Sequence, residues 1–290
     1  QCDGSPHDWF EGRAGKCTLI VFVDDATSEI LWLEFAPSES VHSVMQATKN
    51  YIAKHGVPLS FYTDHGSVFH VNLNNQEKDK KTQWERACAQ LDIKVIHAHS
   101  PQAKGRVERC NSTMQDHLVK EMRLVEISSI DDANKFIHES DFIAKHNAEY
   151  AEEPAQKGNA HRDNSTNNLA DIFTIQETRI LAKDFTISYE KRIFQLHKQQ
   201  KTILRPKDAI IVKVSLEGAI SLFISKTKLF FNEIKLRPTK TILKEQKLCT
   251  NIIRRPSENS RRWVSGLPPI CDKNQLESRV NARPAGGGGN

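Results

Sequence analysis

The run from Cys17 to Asp25, CTLIVFVDD, limits what this chain can become more than any other stretch. Its one polar residue before the closing aspartates is Thr18. A continuous apolar stretch of this length reads as a strand buried on both faces. Ala26 to Ser28 then turns the chain, and Ile30 to Phe35 reads as an antiparallel partner, with Asp24 and Asp25 capping the hairpin. Ser38 or Ser40 caps a predicted helix over 41–55, which Gly56 and Pro58 end. A short strand over 59–63 stops at Asp64, and the polar stretch 65–81 has no clear period. A helix over 82–91 and a strand over 93–97 follow.

The next stretch, 100–124, is SPQAKGRVERCNSTMQDHLVKEMRL. Pro101 suits the opening of a helix. Val107, Cys110, Met114, Leu118, Met122 and Val125 recur at helical spacing and form one apolar stripe. Lys104, Glu108, Asn111 and Gln115 form a polar stripe beside it. By itself this is an amphipathic helix with a solvated charged face. A further helix is predicted over 130–146, capped by Ser129 or Asp131. Strands alternating with helices in this order give an α/β pattern with a mixed sheet.

Composition shifts after Tyr150, and 150–170 reads as a linker. Short alternating or apolar runs over 184–197, 209–215 and 219–224 predict a small β domain spanning 171–237. Residues 1–174 hold 18 Lys and Arg against 26 Asp and Glu, whereas 175–237 hold 13 against 6. An acidic front suits a domain that gathers cations, and a basic back suits one that holds phosphates. Lys191, Arg192, Lys198, Lys201, Arg205, Lys207 and Lys213 carry that basic charge. Residues 238–290 are basic, rich in Pro and Gly, and read as a disordered tail. No run approaches the roughly 18 apolar residues of a membrane span, and no signal peptide is expected at Gln1. The six cysteines are scattered without a CxxC pair, as in reduced thiols of a cytosolic protein.

Three acidic segments carry a resemblance. Asp3 lies in DGSPHDWF, Asp64 in YTDHGSVF, and Glu108 in SPQAKGRVER followed by Cys110 and Asn111. Together, over residues 1–237, they resemble the DDE transposases of bacterial insertion sequences with a retroviral-integrase-like core, the ISNCY type above all. The resemblance implies a ribonuclease-H-like mixed sheet with flanking helices over 1–149, followed by the small β domain. It makes Asp3, Asp64 and Glu108 the catalytic acids and ligands of two Mg²⁺ or Mn²⁺ ions. It implies that Lys104, Arg106, Arg109, Asn111, Lys191 and Arg192 contact DNA. The partners it implies are transposon ends, target DNA and further copies of the chain, in the cytoplasm and on the nucleoid. Between Asp64 and Glu108 the chain runs longer than in many integrase-like enzymes, which fits an insertion within 71–81.

The family places its first acid on the first strand. Here Asp3 stands close to Gln1, with Gly4, Ser5, Pro6 and Gly12 after it. The segment after Asp3 therefore reads as a loop, and the first strand as truncated. That motivates an alternative, a catalytically silent transposase remnant that still binds DNA. A ribonuclease-H-like nuclease acting on other nucleic acids is a third possibility. Asp64, before His65-Gly66, also suits a plain turn former. His97 and His99 alternate at a strand end but lack visible partners for a metal site.

Overall fold

The computed structural model describes residues 1–71, 81–98, 104–156 and 158–235. Its first element is β1 (Cys2–His7), so the segment read as a loop after a truncated strand is a six-residue strand. Gly4 and Pro6 hid it, because both are poor strand formers. They are tolerated because β1 ends its hydrogen-bonded ladder, with β2 (Cys17–Val23) its one partner strand among the described residues. Next comes β3 (Ile30–Ala36), and the three strands form an antiparallel sheet in the order β1-β2-β3.

All seven β2 residues are buried, as the apolar run predicts. Ile20 and Phe22 face one core, and Cys17, Leu19, Val21 and Val23 face another. The first core is closed by α1 (Val41–His55) and, further on, α2 (Gln83–Gln90). Both helices begin with capping boxes, Ser40 with Ser43 and Thr82 with Glu85. The second core is closed by α3 (Gly105–Leu124) and α4 (Ile130–Glu139), with Met114, Leu118, Met122 and Ile137 buried.

Between α1 and α2 lie β4 (Val57–Pro58) and β5 (Ser60–Thr63), and after α2 comes β6 (Lys94–His97). β5 and β6 pair in parallel, and β5 also contacts β1 without a ladder between them. Trp84 of α2 is fully buried between Phe61 and Phe69 and donates Nε1–H to Thr48 Oγ1 of α1 at 2.9 Å.

The helix predicted over 130–146 is two helices, α4 and α5 (Phe142–Tyr150). Ser140, extended at ψ 170, breaks them. Within the predicted linker, β7 (His161–Arg162) pairs with β4, and Arg162 donates to the carbonyls of Leu91 and Asp92. The short α6 (Leu169–Ile172) leads into β8 (Thr174–Ile180).

Then follow β9 (Thr186–Tyr189), β10 (Arg192–Leu196), β11 (Ala209–Ser215), β12 (Ile220–Ile224), β13 (Thr227–Leu229) and β14 (Phe231–Ile234). They form two antiparallel sheets, β13-β12-β11-β8 and β14-β10-β9, around Ile187, Phe194, Val212 and Leu222. The run 184–197 is therefore a hairpin of two strands.

Phe173 and Leu216 belong to the same core as α1 and α2. His42 Nε2 meets the Leu216 carbonyl at 2.7 Å, and Arg86 Nη2 donates to the carbonyls of Ile172 and Thr174. Residues 1–237 accordingly form one compact unit. The tail predicted over 238–290 lies outside the described residues, as does most of the insertion predicted within 71–81. Among the described residues no helix is long and apolar enough to cross a membrane. Cys2, Cys17, Cys88 and Cys110 are buried free thiols.

Candidate active site

β1 carries Asp3 opposite Val21, and β5 ends one residue before Asp64. Both acids reach the Lys104 ammonium, which lies at the entry to α3. Lys104 Nζ donates to Asp3 Oδ1 at 2.6 Å and stands 3.7 Å from Asp64 Oδ2. Asn111, two turns along α3, donates Nδ2–H to Asp3 Oδ2 at 2.9 Å. Its Oδ1 is buried with no hydrogen-bond partner among the described residues. Gln115, one turn further, donates to Ser5 Oγ at 3.0 Å, so the polar stripe of α3 lies along β1.

The two acids differ in setting. The Asp3 side chain is 17% exposed and that of Asp64 47%, so solvent enters from the Asp64 side. Burial pushes the Asp3 carboxyl above the usual carboxylate range, against the pull of the Lys104 hydrogen bond. Asp64 Oδ1 accepts from the Gly66 amide at 2.8 Å, so it forms the turn that its sequence suits while Oδ2 faces Lys104.

A third carboxylate here has no signal in the sequence. Glu39, just before the α1 cap, brings its carboxyl against Gly4. A Cβ at Gly4 would lie 2.6 Å from Glu39 Cδ and Oε2. Burial raises the Glu39 carboxyl, and the charges of Asp3 and Asp64 raise it further. A side chain at position 4 would therefore displace the Glu39 carboxyl, and Gly4 is one of the two residues that made β1 look like a loop.

Glu108 lies on the α3 stripe between Lys104 and Asn111 and is exposed. No hydrogen bond or ion pair joins it to Asp3 or Asp64 among the described residues. Lys104 is buried in the acid cluster. Arg106 donates to Ser28 and Glu152 and lies 3.8 Å from Asp25, which ties α3 to the β2–β3 turn. Arg109 is exposed. Asp24 Oδ1 accepts from the Ala26 and Thr27 amides, capping that turn as expected. Lys191 is exposed at the β9–β10 turn, while Arg192 forms a two-point pair with Glu233 and lies over Phe194.

His97 is less isolated than its sequence neighbourhood implied. His70 and Glu85 offer ligand atoms within 4.8 Å of one another and of His97. His99 lies outside the described residues.

No family model matches the chain. It is 39% identical over 209 residues to the Sinorhizobium fredii protein y4bF, named as a transposase, covering 70% of this chain and 44% of that protein. It is 28% identical over 267 residues to the transposase for insertion sequence IS1202 of Streptococcus pneumoniae, covering 90% of this chain and 54% of that one. The chain is a homologue of the insertion-sequence transposases. It spans about half the length of the curated relatives it matches. Among solved structures, the simian T-cell lymphotropic virus intasome in complex with PP2A regulatory subunit B56 gamma is similar over 81% of this chain and 76% of that chain. The TM-score is 0.40 at 15% identity. In this transposase homologue Asp3 lies on β1, Asp64 directly after β5 and Glu108 on α3, and Lys104 gathers the first two.

Proposed function

We propose that this chain is the catalytic core of a transposase that cleaves DNA strands and transfers them, using two divalent cations held by Asp3, Asp64 and Glu108. The observation that carries this reading is the convergence of Asp3 and Asp64 on one ammonium, that of Lys104. Two carboxylates gathered around a positive charge form a cation-binding pocket, and the buried, unpartnered Asn111 Oδ1 beside Asp3 adds a neutral oxygen. An all-oxygen donor set of this kind suits Mg²⁺ or Mn²⁺. Bound ions would help activate the attacking oxygen and stabilise the leaving oxygen at a phosphodiester.

The chain's own groups do the rest. Asn111 orients Asp3, the Gly66 amide orients Asp64, and Glu108 supplies the third carboxylate from the same face of α3. Water is the attacking group for cleavage, and the freed 3′-hydroxyl is the attacking group for joining. The exposed Arg109 of α3 and the exposed Lys191, Lys198, Lys201 and Lys207 of the β domain attract the phosphate backbone. Arg106 and Arg192 act instead through their pairs with Glu152 and Glu233. Joining two ends calls for more than one copy of the chain. The contact between β1 and β5 supports reading β3-β2-β1-β5-β6 as one ribonuclease-H-like sheet.

A second reading, DNA binding without catalysis, is favoured by Lys104 already occupying the space between Asp3 and Asp64 as their cation. Calorimetric titration of Mn²⁺ into this chain, Asp64→Asn and Glu108→Gln separates the two, alongside cleavage of short duplex ends. Metal binding and cleavage lost by about 100-fold or more in both variants fit the first reading. DNA binding indifferent to chelator, with no cleavage, fits the second.

A further inference from the structure

We propose that His70, Glu85 and His97 form a transition-metal site, best suited to Zn²⁺, that is separate from the Asp3 and Asp64 acids. The three residues come from three elements: the turn after β5, the first turn of α2 and the last residue of β6. Their ligand atoms lie within 4.8 Å of one another, and all three residues are half-buried. The His70 and His97 ring centroids are 4.7 Å apart, and the His65 ring stands 5.1 Å from His70 and 5.5 Å from His97.

Two of the three groups are already oriented. Glu85 Oε2 accepts from the Thr82 amide at 2.8 Å, which leaves Oε1 to face His97 Nε2 at 3.1 Å. His97 Nδ1 lies 3.3 Å from the Asp64 carbonyl, which can only accept, and 3.1 Å from Thr63 Oγ1. In the tautomer that carries its proton on Nδ1, directed at that carbonyl, the Nε2 lone pair faces the Glu85 carboxylate. A cation between the two resolves that opposition. A backbone carbonyl behind a ligating imidazole is the usual way such a ring is fixed.

Two imidazoles and one carboxylate are a zinc-type donor set, and neutral nitrogen ligands favour Zn²⁺ over Mg²⁺. A water can fill the fourth position. Because Asp64 lies between β5 and the turn carrying His70, the ion would cross-link that turn to α2 and β6. Its role is to position the chain around Asp64, and the site stands whether or not the acids cut DNA.

The test is equilibrium dialysis of Zn²⁺ against the full chain in excess Mg²⁺, after stripping with chelator. Co²⁺ serves as a visible-absorption probe, and circular dichroism confirms folding. We expect one Zn²⁺ per chain and cobalt bands without thiolate charge transfer. Affinity should fall about 100-fold or more in both His70→Gln and Glu85→Gln, and stay unchanged in Asp3→Asn. No retained Zn²⁺ in the folded parent overturns the proposal, leaving a His97–Glu85 hydrogen bond alone. Equal retention in His70→Gln, or loss in Asp3→Asn, also overturns it, by placing the ion elsewhere.

Discussion

Lys104 and Glu39 set the charge balance around Asp3. Lys104 is buried, with Asp3 and Asp64 as its partners. Removing one member of a buried pair strands the other. Lys104→Met should therefore cost about 3–5 kcal/mol at neutral pH. The loss should shrink in acid, where Asp3 takes up a proton, and urea denaturation at two pH values measures both. Glu39 works the other way. Its folded carboxyl titrates above the ordinary value of 4.5, so the folded chain binds its proton more tightly than the unfolded chain. Stability from this group is full below that ordinary value and is lost as pH rises through the folded value. Glu39→Gln should then raise Tm at pH 8 and give no gain below about pH 4, read by thermal melts across that range.

At the scale of elements, sequence legibility followed local signals. β2 was legible because six apolar residues around Thr18 leave no exposed face, and α1 and α2 because Ser40 and Thr82 cap them. β1 was illegible because Gly4 leaves room for the Glu39 carboxyl and Pro6 sits on a strand with one partner among the described residues. The α4–α5 break was missed because no Gly or Pro marks Ser140. The acid motifs were legible one by one, but the meeting of Asp3 with Asp64 depends on β1 lying beside β5. His70, Glu85 and His97 were illegible together, since three elements deliver them from distant positions. The turn that follows β5 gives a prediction of its own. A Cβ at Gly66 would lie 2.9 Å from Asp64 Oδ1. Gly66→Ala should push that carboxylate off the Gly66 amide while changing stability by less than about 1 kcal/mol. Divalent-metal titration beside urea denaturation checks that divergence.

Over residues 1–237 as a whole, the sequence suggested two domains with a linker, yet the core does not stop where the composition shifts. Phe173 and Leu216 join the same buried core as α1 and α2, and Arg86 and His42 bond backbone carbonyls of Ile172, Thr174 and Leu216. Phe173→Ala should cost about 3–5 kcal/mol, and the parent should unfold in one transition by both far-ultraviolet and fluorescence signals. Two separated transitions would argue for independent halves. Trp84 has a further use in such work. Its indole is shut from water, braced by Thr48, and in edge contact with Phe69 at the far end of the Asp64 turn. With the other three tryptophans replaced by Phe, the molecule would carry its own optical gauge: a red shift in Trp84 emission would announce that this turn had come loose before any helix melted.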